Sequence, residues 1–200
     1  MTTPSRTRLS PEDRKKQLLG TAKQMIATNG LQSFTMEGLA RTAMVSSPLV
    51  YNYFPTRKTF LQELLAQEFE IYSTTLEKNC ANVDNFTELM RVFICCDLDH
   101  HASGNILPHL QSQPDLTCAI ESSQNEHTKK IVRLLVHSTA ENFKLTEYQA
   151  ALVAKMSSGA SRAAADFFAG SDVDREKVID LTWSYMFAGI EKIASMQHLP

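Results

Sequence analysis

Between Thr35 and Phe54 the chain starts two helices within a very short span. Thr35 precedes the helix-periodic run Met36-Glu37-Gly38-Leu39-Ala40, and Ser46-Ser47-Pro48 opens a second run from Leu49 to Phe54. A hydroxyl side chain accepts from backbone N–H groups of a first helical turn, and proline fits there because its missing N–H has no intrahelical partner anyway. Isolated helices shorter than about 12–15 residues are marginal in water, so neither run stands alone. Flanking helices must hold both. Upstream, Ser10-Pro11-Glu12-Asp13 reads as a helix start, and Leu18, Leu19, Ala22, Met25 and Ile26 follow at three- and four-residue spacing, up to Asn29-Gly30 as a left-handed C-cap. Downstream, Thr56 caps a long fourth helix with Phe60, Leu64, Leu65, Phe69 and Tyr72 along one side.

The rest of the chain also reads as helix. Only 7 Gly and 7 Pro interrupt 200 residues, far too few turn residues for a β-sandwich. The expected helices run from Asn85 to Ala102, ended by Ser103-Gly104; Asn105 to Gln111; Asp115 to Phe143; Thr146 to Phe168, stopped by Gly170; and Val173 to Gln197. The fold class is therefore all-α with about nine helices: a three-helix N-terminal domain with a short arm (1–58) and a helical C-terminal domain (59–200). No apolar run reaches the roughly 18–20 residues of a membrane span, and MTTPSRTRLS lacks a signal-peptide core, so a soluble, cytoplasmic protein is expected. Four cysteines, Cys80, Cys95, Cys96 and Cys118, read as free thiols.

Charge divides the chain. Residues 1–58 carry nine Lys and Arg against three Asp and Glu, a net of +6, which leaves −8 for the remainder of a chain whose total is −2. A basic head on an acidic body suits a nucleic-acid reader joined to a different functional body. Two short helices joined by a tight turn, the second opening with hydroxyl residues and rich in aromatics, form the pattern of a helix-turn-helix. Catalytic signatures such as G-x-S-x-G, H-E-x-x-H or a phosphate loop are absent from the sequence, and an enzyme is not expected. Cys95-Cys96-Asp97-Leu98-Asp99-His100-His101 places Cys96/His100 and Asp97/His101 on shared helix faces, yet nothing positions a third or fourth ligand such as His109 or His127. Neither a metal nor a cofactor is expected.

The run from Gln17 to Leu65 resembles the N-terminal domain of TetR-family transcriptional regulators. The residues carrying the likeness are Asn29-Gly30, Phe34-Thr35-Met36-x-x-Leu39-Ala40, Val45-Ser46, Leu49-Val50-Tyr51-x-Tyr53-Phe54 and Arg57-x-x-x-Leu61. Met44 stands where that family usually has Gly, and Arg57 where it usually has Lys. The resemblance implies a homodimeric, ligand-responsive DNA-binding regulator, a repressor released from a palindromic operator by a small organic effector. The dimer would form through residues of about 146–168 and 173–197, where the small residues of the eighth helix face Trp183, Met186, Phe187 and Ile190 of the ninth. The alternatives are a helical ligand- or metal-handling enzyme with a basic head and an effector-independent architectural DNA-binding protein.

On that reading the third helix enters the major groove. Ser47, Pro48, Tyr51 and Asn52 are then the candidates for base edges, with Asn52 suited to adenine and Pro48 to a thymine methyl. Thr35, Ser46, Tyr53, Arg57 and Lys58 are the candidates for phosphates. Effector-pocket walls are expected from Phe69, Tyr72, Phe86, Met90, Phe93, His100 and His101, lining a site for an apolar or amphipathic ligand.

Overall fold

The computed structural model describes residues 9–83, 85–101, 105–116 and 126–196. Several expectations lie outside these residues: the N-terminal arm, the Ser103-Gly104 stop, Cys118, the stretch 117–125 of the expected Asp115–Phe143 helix, the side chain of His127 and the helix end at Gln197. Among the described residues there is no strand. The helices are α1 (Pro11–Asn29), α2 (Met36–Thr42), α3 (Ser47–Tyr53), α4 (Arg57–Cys80), α5 (Phe86–His101), α6 (Leu107–Gln111), α7 (Glu126–Phe143), α8 (Glu147–Ala169) and α9 (Arg175–Met196). Residues 114–116 are also helical.

Two compact units are present. The first holds the described residues up to Gln67 together with those from His109 to Leu116, and the second holds the remainder. In the first unit the Ser10 hydroxyl accepts the Asp13 N–H at 3.1 Å to start α1, and Thr56 accepts from Thr59 N–H at 3.0 Å to start α4. Its core is aromatic and aliphatic: Leu18, Phe34, Leu39, Val50, Phe54, Phe60 and Leu65 are all at most 2% exposed. Phe60 packs edge-on against Phe54 at 4.5 Å and tilted against Phe34 at 5.3 Å. Each such ring contributes about 1.5–3 kcal/mol by leaving water.

One expected cap differs. Gly30 has φ 79° but ψ 158°, not the left-handed helical pair, because the chain leaves α1 directly into a 3-10 turn at Leu31–Ser33. That corner of backbone space belongs almost wholly to glycine.

The second unit is built around α8, which packs against α5, α7 and α9. Thr146 and Gln149 form a reciprocal capping box at its start. Ala150, Val153, Ser157, Ser161 and Ala165 are its buried face, and these small side chains let neighbouring helices approach closely. α7 ends where Lys144 takes φ 56° and the Leu145 N–H bonds back to the Ala140 carbonyl at 3.2 Å. Gly170, after α8, has φ −106° and so serves as a stop without left-handed geometry.

Within the single chain, Ala150, Met186 and Ile190 belong to the protomer's own core, with Ala160, Ala164 and Trp183 packed against it.

Candidate nucleic-acid interface and effector cavity

The turn between α2 and α3 is set by backbone hydrogen bonds. Met44 takes φ 53°, its N–H donates to the Arg41 carbonyl at 3.1 Å, and the Val45 N–H donates to the Ala40 carbonyl at 3.0 Å. This nested pair is a Schellman ending with methionine at the left-handed position. A non-glycine residue there costs about 1–2 kcal/mol, and the Met44 side chain, 78% exposed, does not recover it by burial. At the other end of α2, Thr35 accepts the Gly38 N–H at 3.0 Å. A Cβ on residue 38 would lie 2.9 Å from that same hydroxyl oxygen, so glycine keeps the cap in place.

α3 is anchored by Val50 and the following Phe54, both 0% exposed. Pro48, Tyr51 and Asn52 face solvent, as do Thr35, Ser46, Arg57 and Lys58, while Ser47 and Tyr53 are half-buried. Ser46 occupies the N-cap position without a side-chain capping bond.

Besides Thr35, two of the candidates already have partners. The Tyr51 hydroxyl donates to Glu37 at 2.8 Å, tying α3 to α2. Glu37 is held below the usual carboxylate range by its own backbone N–H and then by this hydroxyl, and Tyr51 is raised by the same bond. With its proton committed, the Tyr51 oxygen meets any further group as an acceptor. Arg57 donates from Nε to the Phe34 carbonyl and from Nη2 to the Leu31 carbonyl, each at 3.1 Å, and sits 5.9 Å over the Phe34 ring. Lys15 pairs with Glu63 and lies 5.8 Å over the Phe54 ring, fastening α1 to α4.

Within the second unit, α4, α7 and α8 each turn one stripe toward a cavity of about 320 Å³. Phe69, Tyr72, Ser73 and Leu76 come from α4; Thr128, Ile131, Val132, Leu135 and Val136 from α7; Ala151, Ala154, Lys155, Ser158 and Arg162 from α8; Phe93 from α5 closes the floor. Of the seven expected wall residues the cavity therefore collects Phe69, Tyr72 and Phe93.

The other four lie elsewhere. Phe86 stacks with Phe143 at 5.1 Å and Trp183 at 5.9 Å in the core. Met90, 3% exposed, borders a gap of about 10 Å³. His101 pairs with Asp166 at 3.2 Å. His100 sets its ring edge-on to Tyr72 at 4.5 Å, and burial holds its imidazole below the ordinary histidine value.

Sequence reasoning missed the α7 and α8 walls, although residues 128, 131, 132, 135 and 136 already show helical one-face spacing. It grouped Asp97 only with the Cys95–His101 cluster and missed its partner: the buried Asp97 carboxylate accepts the hydroxyl of the lining residue Tyr72 at 2.7 Å. Burial pushes this carboxyl above the usual carboxylate range, opposed by the bond from Tyr72. In the Cys95–His101 segment the Nδ1 atoms of His100 and His101 turn to the Cys96 and Asp97 carbonyl oxygens at 3.0 and 2.8 Å. Among the described residues no three metal-ligating side chains converge, and no helix is long and apolar enough to cross a membrane.

Residues 18–64 match the sequence profile of bacterial regulatory proteins of the TetR family. That match gives the first unit a TetR-type N-terminal domain. Its likeness to the HTH-type transcriptional regulator LuxR of Vibrio harveyi is 36% identity over 101 residues, which is 50% of this chain and 42% of LuxR. The chain spans less than half the length of the curated relatives it matches. Two solved structures extend the fold likeness across the second unit. A TetR-like transcriptional regulator from Rhodococcus sp. RHA1 superposes with a TM-score of 0.63 at 20% identity, over 92% of this chain and 98% of that one. RolR, solved in complex with resorcinol, gives 0.60 at 20% identity, over 94% and 96%.

Proposed function

We propose that this chain is a homodimeric transcriptional repressor of the TetR type that binds a palindromic operator and is released by a small organic ligand. The observation that carries the reading is α3 itself, pinned at Val50 and Phe54 with Pro48, Tyr51 and Asn52 turned to solvent. A seven-residue helix reads few base pairs, so a symmetric pair of heads is needed for useful specificity. In this reading residues 1–58 form the DNA-reading head and 59–200 the effector and dimerisation body.

An exposed apolar stripe supports the dimer. Tyr148, Leu152, Met156 and Phe167 on α8, with Leu181 and Tyr185 on α9, are 50–79% exposed in the single chain. Patches of this kind mark interaction surfaces. The cavity supports the effector, and RolR with its bound resorcinol shows the same fold holding a small molecule. α4 joins the two roles in one helix of 24 residues, about 36 Å long. Lys58 lies in its first turn, and Phe69 to Leu76 line the cavity. A ligand lowers operator affinity only as far as it prefers the helix position that the DNA complex disfavours.

The test is selection of genomic fragments by the purified protein, followed by footprinting. Inverted repeats with half-sites about 10 base pairs apart, or a multiple of that spacing, support the reading. Binding with no common sequence overturns it in favour of an architectural role.

A further inference from the structure

The charged side chains among the described residues that line the cavity are both cationic. Lys155 and Arg162 stand two turns apart on the same face of α8, and among the described lining residues there is no Asp or Glu. Lys155 has no ion-pair partner among the described residues, whereas Arg162 is partly balanced by Asp97 behind Tyr72. The two cations are seven positions apart, about 10.5 Å along the helix axis, so a single small headgroup pairs fully with one of them. The floor is apolar: Leu76, Phe93 and Leu135 are 2–6% exposed. At roughly 30 Å³ per water-sized unit, a space of about 320 Å³ takes on the order of ten non-hydrogen atoms. A cationic ligand would meet like charge at Lys155 and Arg162 and, among the other described lining residues, hydroxyls and apolar wall with no carboxylate. A neutral one would leave Lys155 without the partner its position offers.

We propose that the cavity binds a medium-chain carboxylic acid as its anion, the hydrocarbon chain against Phe93 and Leu135 and the carboxylate at Lys155, with Arg162 adding attraction. This rests on the effector reading of the cavity and names its ligand class.

Three probes of equal length and different charge test it by isothermal titration calorimetry on the full chain at fixed ionic strength: octanoate, octanamide and octylamine. Octanoate is expected to bind about tenfold tighter than octanamide, the scale of a charge-assisted hydrogen bond, with octylamine weakest. Lys155→Gln should remove most of that preference while leaving octanamide within about twofold, and Arg162→Gln should remove less of it. Val132→Trp and Ala151→Trp, both at exposed lining positions, should block octanoate while the far-ultraviolet circular dichroism stays unchanged.

Equal or tighter binding of octanamide or octylamine overturns the proposal, as does binding of none of the three or undiminished octanoate binding in both Trp variants. Operator release is read separately by gel shift. Octanoate that binds with the stated preference and leaves the operator complex intact retains this ligand class and refutes release by ligand. Release that persists in Val132→Trp places the ligand outside this cavity.

Discussion

Replacing Arg57 by Met distinguishes a structural clamp from a phosphate contact. The guanidinium spans the Leu31 and Phe34 carbonyls at 3.1 Å each, closing the connector between α1 and α2 onto the start of α4, and it covers the Phe34 ring at 5.9 Å. Two hydrogen bonds from a charged donor contribute about 1.5 kcal/mol each at the low end suited to an exposed residue. The ring contact adds about 0.5 kcal/mol. Methionine keeps the apolar stem and removes all three, a loss of about 3.5 kcal/mol. For a chain of this size 1 kcal/mol moves the melting point by about 2–4 °C, so Arg57→Met should melt about 7–14 °C lower by circular dichroism. Arg57→Lys keeps the charge without the planar fork and should lose about half as much. Lys58→Ala, at an exposed position, should leave the melting point nearly unchanged and lower the salt slope of DNA binding by about one. The clamp is refuted if Arg57→Met melts within about 2 °C of the parent while its salt slope falls as that of Lys58→Ala does.

Asn52→Ala should relax base preference at one position per half-site without weakening binding to random DNA, as read by competition gel shift; equal loss on both removes Asn52 from base reading. Leu152→Asp and Tyr185→Asp, at positions 50% and 74% exposed in the single chain, should give monomers by light scattering with the helical spectrum intact. An unchanged dimer in both would move the interface off this stripe. Because burial raises the Asp97 carboxyl, the folded chain holds that proton to higher pH than the unfolded chain, and this group's contribution to stability falls as pH rises from about 4 through the folded value. Asp97→Asn should therefore be the more stable protein at neutral pH and lose that advantage near pH 4 in urea titrations; a less stable variant at pH 7 would show the carboxylate to be net stabilising. Met90→Trp overfills a tightly packed site and should cost about 1–3 kcal/mol of stability, with any effector response retained in the protein that remains folded.

What the sequence makes legible is what local geometry encodes. Ser10, Thr35, Thr56 and Thr146 each accept a hydrogen bond from an N–H three residues ahead, so residue type and position suffice to find the helix starts. The buried side of α3 is legible for a related reason: Val50 and Phe54 are one turn apart and wholly apolar, whereas the other pair at that spacing, Leu49 and Tyr53, carries a hydroxyl. Arg57 is different, because its carbonyl partners lie 23 and 26 residues upstream. Read locally, it is just another cation at a basic helix start.

The faces of α8 were illegible for a different physical reason. Small or apolar residues lie on two of its faces: Ala150, Val153, Ser157, Ser161 and Ala165 are buried, while Leu152, Met156 and Phe167 are exposed. Two apolar faces give periodicity no single side to choose. Size decides instead: alanine, serine and one valine are buried among the neighbouring helices, and the bulkier Leu152, Met156 and Phe167 are left at the surface. The two cations of the cavity follow from the same register. Once Ala150, Ser157 and Ser161 are fixed inward, positions 151, 155, 158 and 162 share the adjoining face, and that rotation of α8 brings Lys155 and Arg162 to the cavity instead of leaving them on the apolar stripe.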